Sequence, residues 1–353
     1  KADYNLKSSD VHQFALRLLC QLPLVMRGKD IKVIDLLNVL IFAAAFRTSI
    51  NQASAELDGA PCASTVLGEL AEQLDDLEKL EALLNEILAS LLPKRLRKRK
   101  RRIAIDLVDI PFHGTVDEKF EGEVRRSKAK SGTTHFFSYA TAYIILKGRR
   151  YTLAMYRVRS DASMHDVLKK VLGRLKRLQI KTGLLLLDRG FYSVKVLRYL
   201  ICGRRSFIMA AIKRGKKPDE EGGPTGTYEF AVLKVSGWHR YTINSPEDGK
   251  ITFDLAVVCR NYNGRWGYHQ RETLLYATWG VNHRSLNWIR ETYRKRFGIE
   301  SSYRQLNQAK IKTCTKNPVL RLLFYGIALL LRNVWVWLHS EVIATPRQGG
   351  HLL

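Results

Sequence analysis

The sequence is short of acid. Against 59 Lys and Arg it has 33 Asp and Glu, which leaves a net charge of +26 over 353 residues. That excludes an ordinary acidic enzyme and makes a polyanionic partner the simplest reading, because a positive field of this size concentrates phosphates and supplies sequence-independent affinity. Long hydrophobic runs are missing as well. The longest, Leu322 to Leu331, is ten residues closed by Arg321 and Arg332, well short of the ~20 that a bilayer span requires. Nucleic acid is therefore favoured over a membrane, and no membrane segment is expected. The five cysteines, Cys20, Cys62, Cys202, Cys259 and Cys314, form no C-x-x-C pair; this argues against a zinc site and a disulfide framework and for a reducing compartment. The pattern of a secretory leader is lacking at the start. So is any repeat. No G-x-x-x-x-G-K-[ST] occurs, so no nucleotide cofactor is implied; Gly222 to Gly226 lacks the lysine and reads as a loop.

Hydrophobic residues make up 46% of the chain, enough to build two or three domains at roughly 100–200 residues each. The periodicity divides it into zones. Residues 1–93 read as helical, an N-terminal domain for DNA binding or dimerisation. Leu67, Leu70, Leu74, Leu77, Leu80, Leu84, Leu88 and Leu91 recur every three or four positions, which predicts one long amphipathic helix ended by Pro93. Before it, Ile50 to Leu57, the turn Asp58-Gly59-Ala60-Pro61 and Ser64 onward have the outline of a helix-turn-helix and equally of a plain helical hairpin. Residues 94–102 are a basic linker with eight Lys or Arg in nine, so Lys94, Arg95, Arg97, Lys98, Arg99 and Lys100 are candidates to lie along a phosphate backbone.

From 103 to 212 the pattern becomes mixed α/β, with strands at Ile103–Ile110, His135–Leu146, Tyr151–Val158, Gly183–Asp188 and Phe207–Ile212 and helices at Met164–Leu178 and Ser193–Ile201. The fully apolar Leu184 to Leu187 requires cover on both faces, as in the middle of an α/β sheet. Residues 213–281 read as a β-rich insertion, with segments at Tyr228–Val235, Tyr241–Ile243, Ile251–Cys259 and Glu272–Trp279 and a turn signal at Asn261-Tyr262-Asn263-Gly264. Helices resume over 282–340, and 341–353 is a tail.

Carboxylates inside apolar strands are the informative acids. Asp106 lies in Ile103-Ala104-Ile105-Asp106-Leu107-Val108-Asp109-Ile110, with Asp109 a rival if the register differs. Asp188 ends Leu184 to Leu187 and precedes Arg189-Gly190-Phe191-Tyr192. Carboxylates at the ends of adjacent central strands hold divalent cations, because fixed backbones keep their oxygens a few ångströms apart. Capping and turn hydrogen bonds are the alternative roles. On a late helix Tyr293, Arg296, Glu300, Arg304 and Asn307 fall within roughly 80° of one another at 100° per residue, a polar stripe that serves either a site or a ladder of ion pairs.

Asp106, Asp188-Arg189-Gly190-Phe191-Tyr192 and Tyr293-x-x-Arg296-x-x-x-Glu300 resemble the DDE transposases of the insertion-sequence-four superfamily, whose signature is Tyr, two residues, Arg, three residues, Glu, six residues, Lys. Three of the four positions agree in spacing. Asn307 stands in place of the Lys, with Lys310 and Lys312 a turn beyond and Arg304 a turn after Glu300. The resemblance covers about Arg101 to Asn307 and implies an RNase H-like core in which Asp106, Asp188 and Glu300 hold two Mg²⁺ ions, Mn²⁺ substituting. It implies that Tyr293, Arg296, Arg304, Asn307, Lys310 and Arg189 contact DNA, and that an aromatic of the insertion stacks a flipped base, Trp266 being favoured over Trp238 and Trp279. The expected function is cut-and-paste transposition. Terminal inverted repeats and target DNA are the expected partners, with a hairpin intermediate, a homodimer on DNA and a cytoplasmic, nucleoid-associated prokaryotic location. A domesticated DNA-binding protein without catalysis and a structure-specific RNase H-like nuclease are the alternatives.

Overall fold

A computed structural model describes residues 7–26, 31–146, 149–263, 269–306 and 309–343; the side chains of 149, 263, 269–270, 297–306 and 341–343 are outside this description. The chain divides into two compact units, one of residues 1–96, 108–162 and 300–353, the other of 97–107 and 163–299.

The first unit opens with helices α1 (Ser8–Leu19), α2 (Val33–Ala45), α3 (Ile50–Glu56), α4 (Ala63–Gln73) and α5 (Leu77–Ser90). The expected single helix over the leucine repeat is in fact two, α4 and α5. The leucine spacing continues across the break, but the Asp76 carboxylate accepts from the backbone N–H of Glu78 and Lys79 and so caps a new helix. The helix, turn, helix of α3 and α4 is present, its first helix capped by the Ser49 hydroxyl.

Strand β1 (Arg101–Phe112) starts two residues before its apolar stretch. It is followed by β2 (Val124–Lys130), which no apolar alternation announced, and by β3 (Thr133–Leu146) and β4 (Arg149–Arg157). β3 pairs antiparallel with β2 through its first residues and with β4 from Tyr139 onward.

The second unit contains α6 (Met164–Arg177), β5 (Thr182–Leu187), α7 (Val194–Cys202), β6 (Phe207–Ala210), a short α8 (Tyr228–Ala231) and strands β7 (Gly237–Ser245), β8 (Gly249–Asn263) and β9 (His269–Trp279), then α9 (Leu286–Leu306). Its sheet is mixed. The first half of β1 runs parallel to β5, β5 parallel to β6, and β6, β9, β8 and β7 follow antiparallel. Leu185, Leu186 and Leu187 are fully buried at its centre. The expected strand Tyr228–Val235 is a correction: residues 228–231 are helical, nucleated where Thr227 bonds the loop at Ile212 and Arg214, and the aromatics Phe230 and Tyr241 meet edge on.

The last long helix, α10 (Pro318–Trp337), belongs to the first unit and is long and apolar enough to cross a membrane by length and composition alone. It is instead a core helix, 89% buried over its apolar window. The reason is complementary packing against α5 and β4. Asn85 of α5 exchanges two hydrogen bonds with the backbone of Met155, and Asn333 of α10 exchanges two with Thr152. Two asparagines thus satisfy backbone groups of β4 much as a neighbouring strand would. All five cysteines are free thiols.

Candidate active site

Parallel pairing sets the site. Ile105 of β1 lies opposite Leu187 of β5, so the next residue on each strand, Asp106 and Asp188, leaves the sheet at the same level. Neither carboxylate stands alone. The Arg296 guanidinium of α9 bridges them, with Nη1 3.2 Å from Asp106 Oδ1 and Nη2 3.2 Å from Asp188 Oδ1. Asp106 also accepts from the Leu107 N–H at 3.0 Å, and the second Asp188 oxygen accepts from Gly190 N at 3.4 Å, closing the turn Arg189–Phe191. The capping role for Asp188 and its place beside Asp106 are therefore compatible.

Tyr293 lies one turn before Arg296 on the same face. Its hydroxyl donates to the Leu187 carbonyl at 3.1 Å, and the Arg296 guanidinium sits 5.1 Å from its ring centre. Tyr293 therefore ties α9 to the residue preceding Asp188. Burial pushes its phenol up to about 12, partly opposed by Arg296. For Arg296, desolvation works against the cation, but Tyr293, Asp106 and Asp188 outweigh it and hold its pKa above the ordinary value. The guanidinium is thus charged and charge-matched where it sits.

One cation already receives an oxygen from each strand end, so the two carboxylates converge on a single positive centre. Hard oxygen donors suit Mg²⁺ or Mn²⁺. Among the described residues no group of three His, Cys, Asp or Glu side chains is close enough to hold a metal. The side chain of Glu300 lies outside the described residues, on a stretch of α9 one turn beyond Arg296.

Of the two candidate carboxylates on β1, Asp106 is the one beside Asp188. Asp109 accepts from the Ser138 hydroxyl at 2.7 Å and pairs with Lys130 at 3.3 Å in the first unit. Arg189 is exposed. In the basic run, Lys94 to Arg97 form a tight turn around buried Leu96, and Arg101 and Arg102 already belong to β1, so the linker is shorter than its charge suggested. Lys94, Arg95, Lys98, Arg99 and Lys100 are exposed and Arg97 is half-buried. Lys310 is exposed in the first unit. Trp266 and Asn307, and the side chain of Arg304, lie outside the described residues. Trp238 and Trp279 are half-buried on β7 and β9. Sequence reasoning passed over Trp288, whose ring has the guanidiniums of Arg102 and Arg284 at 5.7 and 5.2 Å. Arg284, four residues before it, was the available signal.

Residues 97–331, well over half of the chain, match the transposase DDE domain family. The chain belongs to that family, whose enzymes cut DNA with divalent metal ions. The fold is also similar to that of piggyBac transposase in the cryo-EM structure of its synaptic complex with hairpin DNA, with a TM-score of 0.54 and 9% identity over 92% of this chain and 70% of that one. At that identity the likeness is one of fold. Among curated proteins none matches the sequence.

Proposed function

We propose that this chain is the cut-and-paste transposase of an insertion sequence, of the insertion-sequence-four type, acting on the terminal inverted repeats of its own element through a hairpin intermediate. The observation that supports the reading is the Asp106–Arg296–Asp188 bridge at the ends of two parallel strands, which brings together one residue from each of the three motifs of the resemblance. Asp106, Asp188 and Glu300 would hold the metal. Two Mg²⁺ ions, with Mn²⁺ as a substitute, would supply the charge that activates the attacking oxygen and stabilises the leaving one in an in-line phosphoryl transfer.

The chain's own residues do the positioning. Arg296 keeps the two carboxylates compensated before DNA arrives, and its planar fork then suits a phosphate near the reacting end. Tyr293 fixes the end of β5 through the Leu187 carbonyl. Trp266 stacks the flipped base, while Arg189, Arg304, Asn307, Lys310 and the basic run from Lys94 to Lys100 take phosphates. Two element ends must be held together, so the working form is a dimer on DNA with one site for each end, in the nucleoid of a prokaryote.

The test is incubation of the protein and its Asp188→Ala variant with Mg²⁺ and a labelled duplex carrying the inverted repeats that flank the gene. A hairpin-sized product that requires both metal and Asp188 is expected, with DNA binding unchanged in the variant. Binding with no cutting in either Mg²⁺ or Mn²⁺ would overturn the enzymatic reading; nicking without hairpins would overturn the hairpin route.

A further inference from the structure

The parallel strands of the second unit have two ends. The carboxyl ends of β1 and β5 carry Asp106 and Asp188. Their amino ends, where Arg101 pairs with Thr182, border an open groove of about 690 Å³ reached by α6 and α7. Its charge is of one sign: Lys100, Lys169, Lys176, Arg204 and Arg205 line it together with Tyr199, and no carboxylate does. Among the described residues Lys100, Lys176, Arg204 and Arg205 form no ion pair with an acid. Small-molecule pockets are mostly apolar with a few polar groups; this one is the reverse. Like charges gathered with no carboxylate lining the same groove repel one another, and a polyanion relieves that repulsion.

The backbone is shaped to present these cations. Both α6 and α7 are followed by a residue in the left-handed region, Gln179 at φ 56° and Arg204 at φ 49°, a conformation unfavourable for an L side chain. The closing bonds, Ile180 N to the Leu175 carbonyl and Arg205 N to the Leu200 carbonyl, turn the chain back at the rim of the groove. Arg205 is preset: its side chain folds over Gly203, where a Cβ would meet Nη1, then lies 4.7 Å from the Tyr199 ring centre and donates to the Tyr199 carbonyl at 3.2 Å. Gly173 interrupts α6 on the groove side, and a Cβ there would meet nothing within 4 Å. Glycine inside a helix is unfavourable, and the space it leaves belongs to the groove.

We propose that this groove is a second DNA-backbone site, which takes phosphates of a duplex segment about 20 Å from the catalytic carboxylates, the length of β5 at ~3.3 Å per residue. The inference rests on the transposase reading for its ligand. Sequence-independent contacts to phosphate from Lys and guanidinium groups position a duplex rather than read it, so the site holds DNA beyond the reacting end.

The experiment uses the full chain, with Lys169→Glu and Lys176→Glu combined, both on the exposed face of α6, and separately Gly173→Glu. A second pair, Lys79→Glu with Lys119→Glu, changes net charge equally at side chains 86% and 67% exposed elsewhere. Affinity for a labelled duplex of about 40 base pairs is measured across salt concentrations, with circular dichroism confirming the fold and strand cleavage recorded in parallel. Each phosphate contact contributes about 0.9 to the slope of log K against log salt. The groove pair is expected to reduce the slope by about 2 and affinity by more than tenfold, Gly173→Glu by about 1, and the matched pair by less than either. Slopes equal to those of the matched pair overturn the groove, and so does saturable binding of inorganic phosphate there without any change in DNA affinity. Strand cleavage by the wild type and its loss in Asp188→Ala judge the transposase reading separately from this outcome.

Discussion

Arg296 compensates two carboxylates with one guanidinium, so its loss exposes their mutual repulsion. Removing one partner of a buried pair costs about 3–5 kcal/mol; Asp188 is a third exposed, which brings the expectation for Arg296→Gln to about 2–3 kcal/mol. Chemical denaturation without metal measures it. A divalent ion should offset the charge, so Mg²⁺ should raise the melting temperature of Arg296→Gln more than that of the wild type. Equal shifts would separate Arg296 from the metal site. Tyr293 gives a pH dependence with a defined sign. Its folded pKa of about 12 stands above the unfolded value near 10, so the neutral phenol contributes stability that is full below pH 10 and is lost as pH rises through 12. Tyr293→Phe should lose about 1 kcal/mol at neutral pH with its hydrogen bond, yet show a shallower loss of stability between pH 10 and 12. Phenolate absorbance followed alongside unfolding reads both.

At the scale of elements, the first unit depends on charges and close contacts within its packing. Arg157 of β4 is buried among Glu78, Glu81 and Glu123; desolvation opposes its charge, but the three carboxylates raise its pKa above normal. Arg157→Met strands two buried acids and should cost about 3–5 kcal/mol in urea unfolding. Gly326 of α10 touches α5 so closely that a Cβ would come within 2.7 Å of Leu84. Gly326→Val should therefore destabilise by about 1–3 kcal/mol through overpacking, where a solvent-facing helix glycine would tolerate the change. The α4–α5 break has a physical reason. Leucines at helical spacing describe which face is buried, and two helices joined by a short turn keep that face as well as one does; the Asp76 cap was visible as an acid but not as a boundary.

For the whole molecule, net charge sets behaviour toward DNA. A protein that contacts six or more phosphates loses about 10³-fold or more in affinity between 50 and 200 mM salt, and this chain, at +26, should do so with random as well as element-end duplex. A salt-insensitive complex in a gel-shift titration would contradict phosphate-dominated binding.

The sequence by itself determined the chemistry that depends on residue type and local order: the excess of cations, the buried run ending in Asp188, and the helical spacing of Tyr293 and Arg296. These are legible because a strand or helix repeats every 2 or 3.6 residues and displays its faces in the letters. Tertiary structure decided what depends on register and on distant segments meeting. Asp106 rather than Asp109 joins Asp188 because Ile105 pairs with Leu187, a choice that alternation along one strand cannot express. Likewise no local pattern links Lys169 and Lys176 to Arg204, Arg205 and Lys100, which the ends of α6, α7 and β1 gather at one groove. Coulombic fields act through space, so residues more than a hundred positions apart in the chain become one charged surface only when the sheet places them side by side.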